Sequence, residues 1–126
     1  MRFLHSMIRV KNENESIRFY CELLGLKKGE RIRLEDCYLQ YLIDENTNTQ
    51  IELTINDETP NNGYQNGRAF GHFAFECDNL DEIDKKIKEM GYSWEIEPFY
   101  MPEVKTRISF LLDPDNNEIE LIESIN

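Results

Sequence analysis

The chain has 126 residues, of which 40% are hydrophobic and 31% are charged, as is typical of one compact, water-soluble domain. No apolar run approaches the roughly 18 residues of a membrane span, and the N-terminus lacks the apolar core of a signal peptide, so we expect a cytoplasmic protein that does not bind membranes. The net charge of -11 disfavours nucleic-acid binding and requires any site for an anionic ligand to gather its own cations.

Three cysteines, Cys21, Cys37 and Cys77, are widely spaced and form no Cys-x-x-Cys pair. An odd number at such spacing is typical of small buried side chains and not of a disulfide framework or a zinc knuckle.

An internal repeat of about 67 residues organises the chain. His5 opens the first copy and His72 the second, and in each copy an Asn follows after seven residues and a Glu after ten. A second landmark is Ile-Glu-Leu, whose Glu lies 47 residues after His5 in the first copy and 48 after His72 in the second. The repeat therefore predicts two structurally equivalent modules.

The first copy, residues 1–56, begins with a strand-like run over residues 3–10. Asn12 followed by Glu15 is a helix-start pattern, because the Asn side chain can accept from an orphan backbone N–H. Gly25 marks the end of this helix. The helix has one predicted apolar face, formed by Ile17, Tyr20, Cys21 and Leu24. Three strands are expected next, including residues 37–43 and 49–55.

Residues 57–68 have loop composition and predict a linker. The second copy, residues 69–126, repeats the pattern with a strand over 70–77, a helix from Asn79 to Gly91 and further strands that include 107–112 and 118–122. The run from Asp113 to Asn117 predicts a tight turn before the last strand. The expected fold class is α+β, with the order strand, helix and three strands in each module.

Four residues carry the predicted chemistry: His5, Glu52, His72 and Glu120. Strand alternation directs each of them away from the apolar face that the helices cover. Two imidazoles and two carboxylates suit a divalent ion such as Ni²⁺, Co²⁺, Zn²⁺, Mn²⁺ or Fe²⁺, with positions left for water or substrate. Both copies of the repeat keep the same pair at almost the same spacing, and His5 and His72 are the only two histidines in the chain, so a shared metal site is the favoured interpretation.

The motifs closely resemble those of the glyoxalase I family, the lactoylglutathione lyases of the vicinal oxygen chelate superfamily. The likeness spans nearly the whole chain. The segments that resemble the family are residues 1–10, Ser16-Ile17-Arg18-Phe19-Tyr20, Leu24-Gly25-Leu26, Ile51-Glu52-Leu53-Thr54, Phe70-Gly71-His72, Asp113-Pro114-Asp115 and Ile119-Glu120-Leu121-Ile122-Glu123. All four metal positions of the family are matched by the expected residue type.

The resemblance implies a single glyoxalase-like domain of two tandem βαβββ modules, which form a curved, open-barrel mixed sheet with helices on its outer face. It also implies a homodimer with His5 and Glu52 from one chain and His72 and Glu120 from the other. A site formed within one chain stays open on the sequence alone. One divalent ion per site is implied, with Ni²⁺ or Co²⁺ favoured and Zn²⁺ possible.

The implied reaction isomerises the hemithioacetal of methylglyoxal and glutathione to S-lactoylglutathione through a metal-stabilised enediolate. Glu120 is the favoured base, with Glu52 serving the opposite face. Arg9 and Asn56 match positions that bind the glutathione carboxylates, and Arg68 matches a cation of some members. We also expect Lys105 and Arg107 to add positive charge near the substrate.

Other readings stay open. Residues 92–105 depart from the family's flexible loop near the thiol, so the thiol is either glutathione or another small thiol. The protein could instead be another enzyme of the superfamily, such as an epimerase of the methylmalonyl-CoA type. A metal-free, ligand-sequestering protein of the bleomycin-resistance type is the alternative from another class.

Overall fold

The computed structural model describes residues 1–125. The chain divides into two compact units, Met1–Gln65 and a second that begins at Asn66. The boundary lies inside the segment with loop composition. Each unit contains one strand, a helical segment and three further strands, so the predicted α+β class and element order are confirmed.

The first unit has a four-stranded sheet in the order β1-β4-β3-β2. Strands β1 and β4 are parallel, and the other neighbours are antiparallel. Its elements are β1 His5–Arg9, α1 Glu13–Ile17 with a π-helical continuation Arg18–Leu23, β2 Lys27–Arg33, β3 Cys37–Ile43 and β4 Gln50–Asn56.

The helix of the first unit begins where the sequence predicts, because the Asn12 side chain accepts from the backbone N–H of Glu15 at 3.1 Å. It ends before Gly25, which has a φ of 85° in the left-handed region that glycine tolerates. The predicted apolar face is shifted, because the second half of the helix is π-helical and follows another period. The residues it buries are Phe19, Tyr20 and Leu23.

The second unit repeats this topology in the order β5-β8-β7-β6, with β5 and β8 parallel. The Asn79 side chain accepts from the backbone N–H groups of Asp81 and Glu82 and so caps the helix as predicted. Its elements are β5 His72–Cys77, α2 Leu80–Glu89, β6 Trp94–Met101, β7 Thr106–Leu112 and β8 Glu118–Glu123.

The turn before β8 is built around the Asp113 carboxylate. It accepts from the backbone N–H groups of Asp115 at 2.9 Å and Asn117 at 2.8 Å, and from the Asn117 side-chain amide at 2.8 Å. Asn116 has a φ of 65°, a left-handed conformation that asparagine tolerates better than most residues. The turn thereby sets the start of β8, the strand that carries Glu120.

In each unit the helix-facing side of the sheet is apolar. Ile51 and Leu53 flank Glu52 in β4, and Ile119 and Leu121 flank Glu120 in β8; all four flanking side chains are buried. Because successive side chains on a strand face opposite ways, each glutamate lies on the face that its helix does not cover.

Within residues 1–125 the structure has no helix long and apolar enough to cross a membrane.

Candidate functional site

The first half of the candidate site is the pair His5 and Glu52. His5 lies opposite Gln50 in the parallel pairing of β1 with β4. Glu52 comes two residues after Gln50, so it is the next side chain on the same face of β4. The imidazole Nε2 of His5 lies 2.7 Å from Oε2 of Glu52. The strand register therefore brings these two predicted site residues into contact.

Two hydroxyl groups hold the Glu52 carboxylate. Tyr41 lies directly across from Glu52 in β3, and its hydroxyl donates to Oε2 at 3.1 Å. Thr54, two residues after Glu52 on the same face of β4, donates to Oε1 at 3.3 Å. Burial, together with the hydrogen bond to Glu52, raises the pKa of the Tyr41 phenol. Both carboxylate oxygens thus have a donor.

The sequence does not single out Tyr41 or Thr54 as site residues. Thr54 could have been found from its two-residue spacing after Glu52, which places it on the same strand face. Tyr41 could not, because its approach to Glu52 depends on the antiparallel register of β3 with β4. The His5 ring packs edge-on against the Tyr41 ring with centroids 5.3 Å apart.

The second half of the candidate site is the pair His72 and Glu120. The register of β5 with β8 repeats that of β1 with β4, and Nε2 of His72 lies 2.9 Å from Oε2 of Glu120. Phe110 lies across from Glu120 in β7, where Tyr41 lies across from Glu52, and it packs edge-on against the His72 ring at 5.7 Å. The two halves match in strand register and in their His–Glu pair, and they differ in the side chain that lies across from the glutamate.

A divalent ion fits the donor atoms of each pair. Nitrogen and oxygen ligands lie about 2.0–2.2 Å from such an ion, so two ligands at right angles around it are about 3 Å apart. The observed separations of 2.7 Å and 2.9 Å are close to this spacing. Each pair supplies two donors, and within residues 1–125 no group of three or more His, Cys, Asp or Glu side chains is placed to hold a metal.

The predicted substrate contacts of the first unit lie on the same sheet face as His5. Arg9 is exposed at the end of β1, opposite Thr54. Asn56 is the last residue of β4, and its Oδ1 accepts from the Tyr64 hydroxyl at 3.1 Å. This bond engages the carbonyl end of the Asn56 amide, so the amide nitrogen is the group left to donate to a ligand.

Arg68 belongs to the second unit and lies in an exposed turn before β5. Lys105, expected to add charge near the substrate, is exposed in the turn between β6 and β7.

Arg107 does not lie where the sequence suggested. It projects from the face of β7 opposite to Glu120 and binds Glu123 through Nε at 3.1 Å and Nη2 at 2.8 Å. Its Nη1 donates to Asp81 at 3.1 Å. The Glu123 carboxylate also accepts from the backbone N–H of Leu80 at the start of α2. Arg107 is thus a structural cation on the helix side of the sheet.

Comparison with known proteins gives one consistent result. Residues 2–121 match the family model described as the glyoxalase/bleomycin resistance protein/dioxygenase superfamily. A lactoylglutathione lyase of Neisseria meningitidis is 37% identical over 98% of this chain and 91% of its own length. A lactoylglutathione lyase of Escherichia coli is 35% identical over 98% of this chain and 93% of its own length.

Solved structures agree with the sequence relatives. Glyoxalase I from Zea mays is 32% identical with a TM-score of 0.85; the match covers 99% of this chain and 45% of the maize chain, so this chain spans less than half of that protein. A glyoxalase I from Leishmania major, described as trypanothione-dependent, is 29% identical with a TM-score of 0.75, over 98% of this chain and 86% of its own. The chain therefore belongs to the glyoxalase/bleomycin resistance protein/dioxygenase superfamily and, within it, to the family of the lactoylglutathione lyases.

Proposed function

We propose that this protein is a lactoylglutathione lyase that converts the hemithioacetal of methylglyoxal and glutathione to S-lactoylglutathione. The observation that carries the proposal is the repeated His–Glu pair, at matching strand positions in both units, in a chain 37% identical to a protein named for this activity. The reaction is an isomerisation, so no atom is gained or lost.

We propose that His5, Glu52, His72 and Glu120 together bind one divalent ion, with Ni²⁺ or Co²⁺ favoured and Zn²⁺ possible. A catalytic ion usually takes at least three protein ligands, so a single pair with two donors needs a second pair. In the favoured arrangement the protein is a homodimer in which each site takes one pair from each chain. When bound, the ion acts as a Lewis acid and stabilises the negative charge that develops on neighbouring substrate oxygens.

The Glu120 carboxylate is the proposed base. It removes the proton from the carbon that carries the sulfur and the hydroxyl, and it returns this proton to the neighbouring carbonyl carbon. The carbon–sulfur bond stays intact, the hydroxyl proton of the first carbon moves to the former ketone oxygen, and the first carbon becomes the thioester carbonyl. Glu52 remains a ligand and serves the opposite face of the substrate. In this role the better-exposed Glu120 side chain, 16% accessible against 10% for Glu52, has the easier access to substrate.

The thiol part of the substrate is anionic, and a chain with a net charge of -11 needs local cations to bind it. Arg9 and the Asn56 amide are proposed to bind its carboxylates, because both lie on the sheet face of His5 and Glu52. Arg68 is proposed as a further cation. The three cysteines are all free, which suits the reducing cytoplasm where we place the protein.

Metal-free protein reloaded with Ni²⁺, Co²⁺ or Zn²⁺ tests the proposal. Formation of the thioester from methylglyoxal is followed with glutathione and, separately, with trypanothione. We expect activity with glutathione that is highest with Ni²⁺ or Co²⁺ and absent without metal. A folded protein that binds none of these ions refutes the metal site, and activity with trypanothione alone refutes the choice of thiol.

A further inference from the structure

The two halves of the repeat hold their glutamates differently. Glu52 receives hydrogen bonds from the Tyr41 and Thr54 hydroxyls, one on each carboxylate oxygen. Phe110 and Ile122 occupy the corresponding positions around Glu120, by register and by spacing along the strand. Neither carries a hydroxyl, and within residues 1–125 the Glu120 carboxylate has His72 as its polar side-chain partner.

This difference restrains one carboxylate and not the other. Hydrogen bonds to both oxygens, at 3.1 Å from Tyr41 and 3.3 Å from Thr54, oppose rotation of the Glu52 carboxylate. Glu52 is also the more buried residue, with 8% of its surface exposed, and Thr54 beside it is 6% exposed. The apolar side chains of Phe110 and Ile122 give Glu120 no such restraint, so among the described residues its contact with His72 is the polar contact that has to loosen before it moves.

We propose that Tyr41 and Thr54 are positioning residues that fix Glu52 as a permanent metal ligand and thereby leave proton transfer to Glu120. The inference rests on the proposed function and adds a cause for the unequal roles of the two glutamates. Tyr41 and Thr54 act through Glu52 and do not themselves exchange a proton with substrate. The unequal roles then follow from two side-chain differences between otherwise matching half-sites.

The chain offers its own matched variants. The double substitution Tyr41→Phe and Thr54→Val gives the first half the apolar surroundings of the second. The reverse substitution, Phe110→Tyr with Ile122→Thr, gives the second half the hydroxyls of the first. Because Phe110 packs against His72 much as Tyr41 packs against His5, a hydroxyl added at residue 110 is placed to reach Glu120.

Two readouts separate positioning from a merely structural role: the Ni²⁺ affinity of metal-free protein by calorimetry, and kcat and KM of the reloaded enzyme. For the first variant we expect Ni²⁺ affinity to fall roughly 10–100-fold with KM unchanged, the range for residues that orient metal ligands. Thr54→Ser, which keeps the hydroxyl, should retain wild-type affinity. For the reverse variant we expect kcat to fall about tenfold or more while Ni²⁺ affinity is retained, because Glu120 is then restrained.

Wild-type Ni²⁺ affinity in the first variant, or wild-type kcat in the reverse variant, overturns the inference while leaving the proposed function intact. A wild-type protein that binds no Ni²⁺ overturns both. Thermal unfolding of every variant checks the fold. If the reverse double variant does not fold, Phe110→Tyr alone carries the test, since it adds one hydroxyl without removing an apolar group.

Discussion

Replacing Arg107 by Met should destabilise the second unit without weakening substrate binding. The substitution removes the paired hydrogen bonds to Glu123 and the bond to Asp81, while the methionine keeps much of the apolar stem. Glu123 loses its counterion at the point where it also accepts from the first backbone N–H of α2. The expected loss therefore includes both the ion pair and part of the support for the helix start.

The magnitude follows from these contacts. Hydrogen bonds to charged groups contribute about 1.5–3 kcal/mol. The Arg107 and Glu123 side chains are 33% and 21% exposed, so solvent screening reduces the expected loss to about 1–2 kcal/mol. At about 2.1 cal/mol/K per residue, the unfolding entropy of 126 residues is about 0.26 kcal/mol/K, and the melting temperature should fall by about 4–8 °C.

Thermal unfolding followed by circular dichroism measures the shift. Lys88→Met is a matched control, because Lys88 also pairs with an aspartate at 2.8 Å but is 69% exposed. The melting temperature of this control variant should change much less. At a temperature where both are folded, Arg107→Met should keep the wild-type KM, since Arg107 and Glu120 lie on opposite faces of the sheet. An unchanged melting temperature, or a tenfold higher KM, would contradict the structural role of Arg107.

Three further outcomes are expected. Glu120→Gln should lower kcat by roughly 10²–10⁴-fold with little change in thiol binding, and retained turnover would remove Glu120 from the role of base. Arg9→Ala should raise KM about tenfold, or about 1.4 kcal/mol, with kcat nearly unchanged; a loss confined to kcat would contradict a substrate-binding role. Arg107 and the Leu80 N–H hold the pKa of Glu123 below its ordinary value of 4.5. The ionised Glu123 carboxylate therefore contributes its full stabilisation above pH 4.5, and this contribution is lost as the pH falls through the lowered pKa. Melting temperatures measured from neutral to acid pH should therefore converge for wild type and Arg107→Met at low pH, and a constant difference would contradict the linkage.

The sequence by itself determined the features that depend on local chemistry. Asn12 and Asn79 cap their helices as predicted, because a cap needs only a side-chain oxygen within three residues of the N–H groups it accepts from. The duplicated spacing indicated that His5 and His72 each have a glutamate partner, and strand alternation assigned the glutamates to the uncovered sheet face. Both pairs are in contact in the structure.

Only the tertiary structure decided which neighbours surround those pairs. Tyr41 reaches Glu52 through a strand register that joins residues 11 apart, and Arg107 reaches Glu123 from another strand 16 residues away. The π-helical turn that buries Phe19 likewise departs from the α-helical period that the sequence pattern predicted. Local patterns fix a side chain's face and its nearest partners along the chain. The Tyr41 contact that distinguishes Glu52 from Glu120 arises between strands, where register and packing determine it, whereas the Thr54 contact lies within β4.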